Sequence, residues 1–254
     1  MFFVEHGLIS RRPFSGIYAS FDDVPGTMRT AEADQAEAAA RGIARGPSCD
    51  PATNLPQLRR ARSLMPLVAA MLANERGGKP IKVLDFGGAA GVDFANLLAA
   101  VGPDTKVHYH VVDFPKVCAV GQAHWRNDAR ISFGDALPSE ADFDFVYGWS
   151  SIHYVPDPLK LLEQFAAYHP AAILLVGSPF TSGEAFVRAQ VNQSVPFPQW
   201  VLSLPEIERR MESCGYRLAF HVAGEDDYDV DNYPPQYRVA NSASLLFLKS
   251  ESAA

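Results

Sequence analysis

Cysteine is scarce in this chain: three residues in 254, at Cys49, Cys118 and Cys214. They are far apart, odd in number and in no metal-ligand spacing. That argues against a disulfide framework or a zinc site and for a reducing compartment. Basic charge is scarce too, with 22 Lys and Arg against 29 Asp and Glu and a formal net charge of -7. No basic stripe is present to neutralise phosphates, so nucleic acid is not the expected partner. No apolar run reaches the length of a membrane span, and "MFFVEHGLIS" lacks the basic-then-apolar order of a signal peptide. Membrane insertion is therefore not expected, and a cytoplasmic location is. The carboxylates and histidines show no convincing metal spacing, so no residue is assigned to a metal.

What is present is an ordinary globular composition, 48% hydrophobic and 20% charged, in a chain long enough for a full core. The first fifty residues differ from the rest. "RRPFSGIYASFDDVPG" is aromatic and turn-rich, "TAEADQAEAAARGIARG" is an alanine-rich helix stopped by glycine, and "PSCDPATNLP" reads as a linker. A second helix, "QLRRARSLMPLVAAMLANERGG", carries Leu64, Leu67, Val68 and Met71 at helical spacing, with "LRRARS" as its solvated face. From Lys82 onward strands and helices alternate. The strand-like runs are "IKVLDF", "KVHYHVVDF", "RISFGD", "FDFVYGWS" and "AAILLVGS". A helix, "LPEIERRMESCG", and two more strands, "GYRLAFHVAG" and "SASLLFLKS", close the chain. Such alternation predicts an α/β fold with a mostly parallel sheet covered by helices on both faces. Residues 1–55 are expected to form a cap segment with a helix, and 56–254 the main domain.

The informative stretch is "VLDFGGAAGVDF". Gly87, Gly88 and Gly91 follow a strand and open a helix, the place where ligands bind in a doubly wound sheet. Ala89 stands where a dinucleotide fingerprint would put another glycine. Asp85, at the strand end, would repel a pyrophosphate but suits an ammonium or sulfonium, which points away from NAD and toward S-adenosylmethionine. Asp113 ends the next strand, where a carboxylate can accept from both ribose hydroxyls, and Asp135 ends the third, within reach of an adenine amino group. Any one such Asp is an ordinary cap or turn residue; three on successive strand ends read as a cofactor site. The neighbours Phe114 and Ala136 join that site. After the fourth strand come Trp149, Ser150 and His153. Trp149 can face a sulfonium by cation–π attraction, though Phe145, Tyr147 and Trp149 also alternate as core residues would.

In this order and spacing, "VLDFGGAAG", "HVVDF", "FGDA" and "SSIHYVPDP" resemble the S-adenosylmethionine-dependent methyltransferases with a Rossmann-like fold, over roughly Lys79 to Lys249. The resemblance implies a seven-stranded sheet whose last two strands include the one antiparallel strand. It also implies a glycine loop of Asp85, Gly87 and Gly91, a ribose contact at Asp113, an adenine contact at Asp135, and S-adenosylhomocysteine as product. A narrower resemblance, through "FSGIYASFDD", "SSIHYVPDP" and "SPFTSG…VRAQVNQSVPFPQW", is to methyltransferases associated with bacterial surface-polysaccharide loci. It implies O-methylation of a sugar or other small polar acceptor. The acceptor pocket is expected under two segments, one holding Tyr18 and the other Arg188, Gln190, Gln193 and Trp200. His153 is the expected general base. Two alternatives stay open: a nicotinamide-dependent oxidoreductase on a related fold, and a protein that binds S-adenosylmethionine without catalysis. The oligomeric state is not readable from the sequence.

Overall fold

A computed structural model describes residues 12–25, 31–50, 52–58, 60–139, 142–191, 196–224 and 226–250. In chain order the elements are β1 (Phe14–Tyr18), α1 (Ala31–Arg45), β2 (Ser48–Cys49), β3 (Pro56–Gln57), α2 (Arg60–Glu75), β4 (Ile81–Phe86), α3 (Val92–Val101), β5 (Val107–Val112), α4 (Pro115–His124) and β6 (Ile131–Gly134). They continue with β7 (Phe145–Trp149), α5 (Pro158–Ala167), β8 (Ala172–Ser178), β9 (Phe180–Thr181), β10 (Phe186–Gln190), β11 (Phe197–Ser203), α6 (Leu204–Ser213), β12 (Tyr216–Ala223) and β13 (Ala243–Lys249).

The main sheet has seven strands in the order β12-β13-β8-β7-β4-β5-β6. Strand β13 runs antiparallel to both its neighbours, β12 and β8, and the pairs from β8 to β6 are parallel. Its strands are apolar on both faces. On one side Val83, Phe145, Tyr147 and Leu174 pack with Met65, Phe94 and Leu97 from α2 and α3. On the other, Leu84, Val146, Ile173 and Leu175 pack with Leu162, Phe165, Ile207 and Met211 from α5 and α6. This is the continuous apolar pattern of a sheet covered twice, and each fully buried Leu or Phe contributes roughly 1.5–3 kcal/mol. Asp157 caps α5 by accepting from the Lys160 amide at 3.0 Å, as its place ahead of Pro158 suggests.

Three expectations are corrected. The segment read as a linker holds the antiparallel pair β2–β3, its turn closed by Asp50 accepting from the amides of Ala52 and Thr53. In α2 the buried face is Met65 and Ala69, whereas Leu67 and Met71 lie exposed. The third is a second sheet, of four strands in the order β1-β10-β11-β9, which the strand pattern did not show. Strand β1 pairs antiparallel with β10, Phe14 opposite Gln190, and β10 with β11. The two segments expected to roof the acceptor are thus joined by backbone hydrogen bonds. A short 3-10 helix, Ile152–Tyr154, leaves β7 toward this sheet.

Candidate active site

The loop after β4 is shaped by contacts within the protein. Gly87, Ala89 and Gly91 all have positive φ, at 72°, 52° and 83°. A Cβ on Gly87 would lie 2.4 Å from Ser151 Cβ, one on Gly88 2.3 Å from Asp85 Oδ2, and one on Gly91 2.8 Å from Trp125 Nε1. The adjacent glycines therefore let the loop fold tightly over the Asp85 carboxylate and beside Ser151. Ser151 Oγ donates to the Phe86 carbonyl at 2.8 Å, and the Gly87 amide donates to the Val112 carbonyl at 2.8 Å. Gly91 leads directly into α3, so the free amides of that helix open onto the loop.

Strands β4, β5 and β6 are neighbours, and Asp85, Asp113 and Asp135 sit at their carboxyl ends. Their surroundings differ. Asp113 is half-buried and fixed at both oxygens: Oδ2 accepts from the Ala89 amide at 2.8 Å and Oδ1 from the Phe114 amide at 2.7 Å. Burial raises its carboxyl above the usual range, and these two hydrogen bonds oppose the rise. Phe114 is 44% exposed, and Asp135 and Ala136 are exposed at the rim. Asp113 and its exposed neighbours suit a ligand with ribose hydroxyls and a flat ring.

Asp85 is fully buried beneath the loop. Its Oδ2 accepts from the Tyr109 hydroxyl at 2.7 Å, and its Oδ1 has no hydrogen-bond partner. Burial, with Asp93 nearby, holds its carboxyl well above the usual range against the Tyr109 hydrogen bond. Two residues missed in the sequence complete this cluster. Asp93 accepts from Asn96 at 2.8 Å and from the Tyr147 hydroxyl at 3.3 Å, and pairs with Arg62 at 3.2 Å. The Arg62 guanidinium also lies 4.1 Å from the centre of the Trp149 ring. Arg62 lies within "LRRARS", read as a solvated face, and Asp93 stands in the first turn of α3, where an acidic residue is common for the helix dipole alone. The Trp149 ring thus already carries one cation, and Ser150 beside it has a strained φ of 48°.

On the other side of the β7 end lies a second buried polar group. His153 is fully buried, its Nδ1 3.0 Å from Ser178 Oγ, its Nε2 without a partner. Burial, and then the charge of Arg188, hold its imidazole well below 6.5. The Tyr154 hydroxyl donates to Gln190 at 2.7 Å and accepts from Gln199 at 3.2 Å. Arg188 Nε donates to Gln199 at 2.8 Å and its Nη1 to the Val239 carbonyl at 3.0 Å. Trp200 donates to the Pro156 carbonyl at 3.3 Å and stacks on Phe21 at 5.9 Å, and Tyr18 packs beside it. Of the expected acceptor residues, Arg188 and Gln190 share a network, Tyr18 and Trp200 lie together, and Gln193 falls outside the described residues. Among the described residues no helix is long and apolar enough to cross a membrane.

The methyltransferase-domain family matches over residues 57–219. Comparison with curated protein sequences gives no match. Among solved structures, the chain is similar to a candidate sarcosine dimethylglycine methyltransferase from Galdieria sulphuraria, at 12% identity and a TM-score of 0.52, covering 85% of this chain and 98% of that one. It is also similar to the magnesium protoporphyrin IX methyltransferase of Synechocystis with bound S-adenosylhomocysteine. There the identity is 13% and the TM-score 0.51, with 76% and 89% of the two chains covered. At these identities the likeness speaks for the fold, while the family match spans more than half of the chain. With its seven-stranded sheet, its glycine loop and a carboxylate held by two amides at the end of the neighbouring strand, the chain belongs to the methyltransferase-domain family and has the architecture of its S-adenosylmethionine-dependent enzymes.

Proposed function

We propose that this protein transfers a methyl group from S-adenosylmethionine to a hydroxyl of a sugar or other small polar acceptor held beneath the second sheet. When bound, the donor supplies a methyl group on a sulfonium that is already a good leaving group. The residues at the strand ends fit it: Asp113 for the ribose hydroxyls, Phe114, Asp135 and Ala136 for the adenine side, and the loop from Gly87 to Gly91 with Ser150 and Trp149 for the methionine side. The unpartnered Oδ1 of Asp85, close under the loop, is an acceptor that an ammonium group of the ligand would satisfy. The chain's own contribution is orientation, bringing the acceptor oxygen in line with the methyl carbon. The acceptor's proton passes to Nε2 of His153, which its surroundings keep neutral. Residues 1–55 act as a cap on the domain of 56–254, and the cytoplasm is the place of action.

The observation that carries the acceptor reading is the second sheet, whose inner strands bury Arg188, Gln190 and Gln199. A roof built only for packing would be apolar there. The resemblance to enzymes of surface-polysaccharide loci favours a sugar. Calorimetric titration with S-adenosylhomocysteine and with NADH tests the donor, and methyl transfer from labelled S-adenosylmethionine to a panel of sugars, phenols and amines tests the acceptor. Binding of S-adenosylhomocysteine without NADH, and turnover on hydroxyls, is expected. NADH binding alone would return the chain to the oxidoreductases, and turnover on amines alone would overturn O-methylation.

A further inference from the structure

Arg188 lies on β10, a central strand of the second sheet, and is 2% exposed. Its partners are neutral: Gln199, the Val239 carbonyl and the face of Phe14, whose ring centre is 3.4 Å from the guanidinium carbon. Among the described residues no carboxylate forms an ion pair with it. A buried cation without a counter-charge is expensive unless something completes it. Burial draws its guanidinium down only to about 10, so it is charged at neutral pH. The Tyr154, Tyr228 and Tyr233 phenols lie near enough to feel that charge, and so does His153. Two polar atoms of this surround are buried and unpartnered: the Tyr233 hydroxyl, in a residue 4% exposed, and His153 Nε2, in one fully buried.

We infer that the acceptor carries a carboxylate, bound by Arg188 with the Tyr233 hydroxyl as a second donor. One buried cation among neutral groups is balanced by one negative charge; a dianionic phosphate would leave an uncompensated charge in the same low-dielectric site. With Nε on Gln199 and Nη1 on the Val239 carbonyl, Nη2 is the guanidinium nitrogen left for a carboxylate oxygen. The inference rests on the acceptor reading above and narrows it to hydroxy acids, uronic acids among the sugars.

The test uses the full chain saturated with S-adenosylhomocysteine and matched probes: glucuronate against glucose, and 4-hydroxybenzoate against 4-hydroxybenzamide, with glucose 6-phosphate as the dianion. In at least one pair the carboxylate is expected to bind tenfold or more tightly than its neutral partner. Arg188→Met should abolish that preference, and Tyr233→Phe, which removes an unpartnered hydroxyl, should shrink it without lowering the melting temperature. Equal binding within both pairs, no binding of either carboxylate, or a preference that survives Arg188→Met would overturn the inference. So would glucose 6-phosphate binding more tightly than glucuronate. Failure of the wild-type chain to bind S-adenosylhomocysteine would instead overturn the donor reading.

Discussion

Asp85 and Asp113 stand at the ends of paired strands, yet they sit in opposite circumstances. Asp113 is held by two amides, so Asp113→Ala removes the proposed ribose contact and the anchor of the Ala89 amide together. S-adenosylhomocysteine affinity should fall by roughly 1–3 kcal/mol; unchanged affinity in a folded variant would reduce Asp113 to a turn residue. Asp85 is buried with its carboxyl raised. A raised carboxyl adds stability below the unfolded value near 3.8, and that stability is lost as pH rises through the folded one. The charged form is therefore the one that burial disfavours in the fold. Asp85→Asn should leave the melting temperature equal or higher while weakening S-adenosylhomocysteine at least about tenfold, since the amide keeps the shape of the side chain and cannot ionise. Equal affinity would show that the charge is not used. For His153→Ala, kcat is expected to drop roughly 10²–10⁴-fold. The acidic limb of the wild-type rate profile should lie well below pH 6.5, because the imidazole is held neutral. A loss of under about tenfold would leave orientation as the whole mechanism.

The most consequential element is β1, because it joins the N-terminal segment to strands made much later in the chain. Deleting residues 1–22 takes away an edge strand, the Phe14 ring over Arg188 and the Phe21 ring on Trp200. It leaves every strand of the main sheet in place. S-adenosylhomocysteine affinity should stay within a few-fold, while turnover falls severely; normal activity would make β1 a surface strap. Elements differ in how plainly the sequence announces them. "IKVLDF" and "AAILLVGS" are apolar because both their faces are covered, and such runs announce a strand in any sheet. Strands β10 and β11 do not, because Arg188, Gln190 and Gln199 are buried polar residues satisfied by one another, by Tyr154 and by the Val239 carbonyl, and Pro198 interrupts the second strand. Their polarity reads as a loop until the partners are seen. The same holds at the site. Glycines and strand-end acids were legible by position, but Arg62 and Asp93 come together only through the packing of α2 on α3.

For the whole molecule, the buried histidine sets an acid limit. An unfolded imidazole titrates near 6.5, and that of His153 titrates well below, first because of burial. Below pH 6.5 the unfolded chain therefore binds more protons than the native one. Stability is retained above 6.5 and is lost as pH falls toward the folded value. Half-buried His110 is shifted in the same direction by burial. Melting temperatures should decline from about pH 6.5 downward, and His153→Gln should flatten that decline; an equally steep fall in the variant would place the acid sensitivity elsewhere. The strand order also ties assembly to the direction of synthesis. Strand β13, last in the chain, lies between β12 and β8, and β1, the first, waits unpaired for β10. On a ribosome the parallel strands from β4 to β7 emerge early and adjacent, whereas the roof and the far edge of the sheet close only when distant segments meet, which is slow. A nascent chain halted after β8 would hold the strand ends proposed to face the donor and none of the pairings proposed to cover the acceptor.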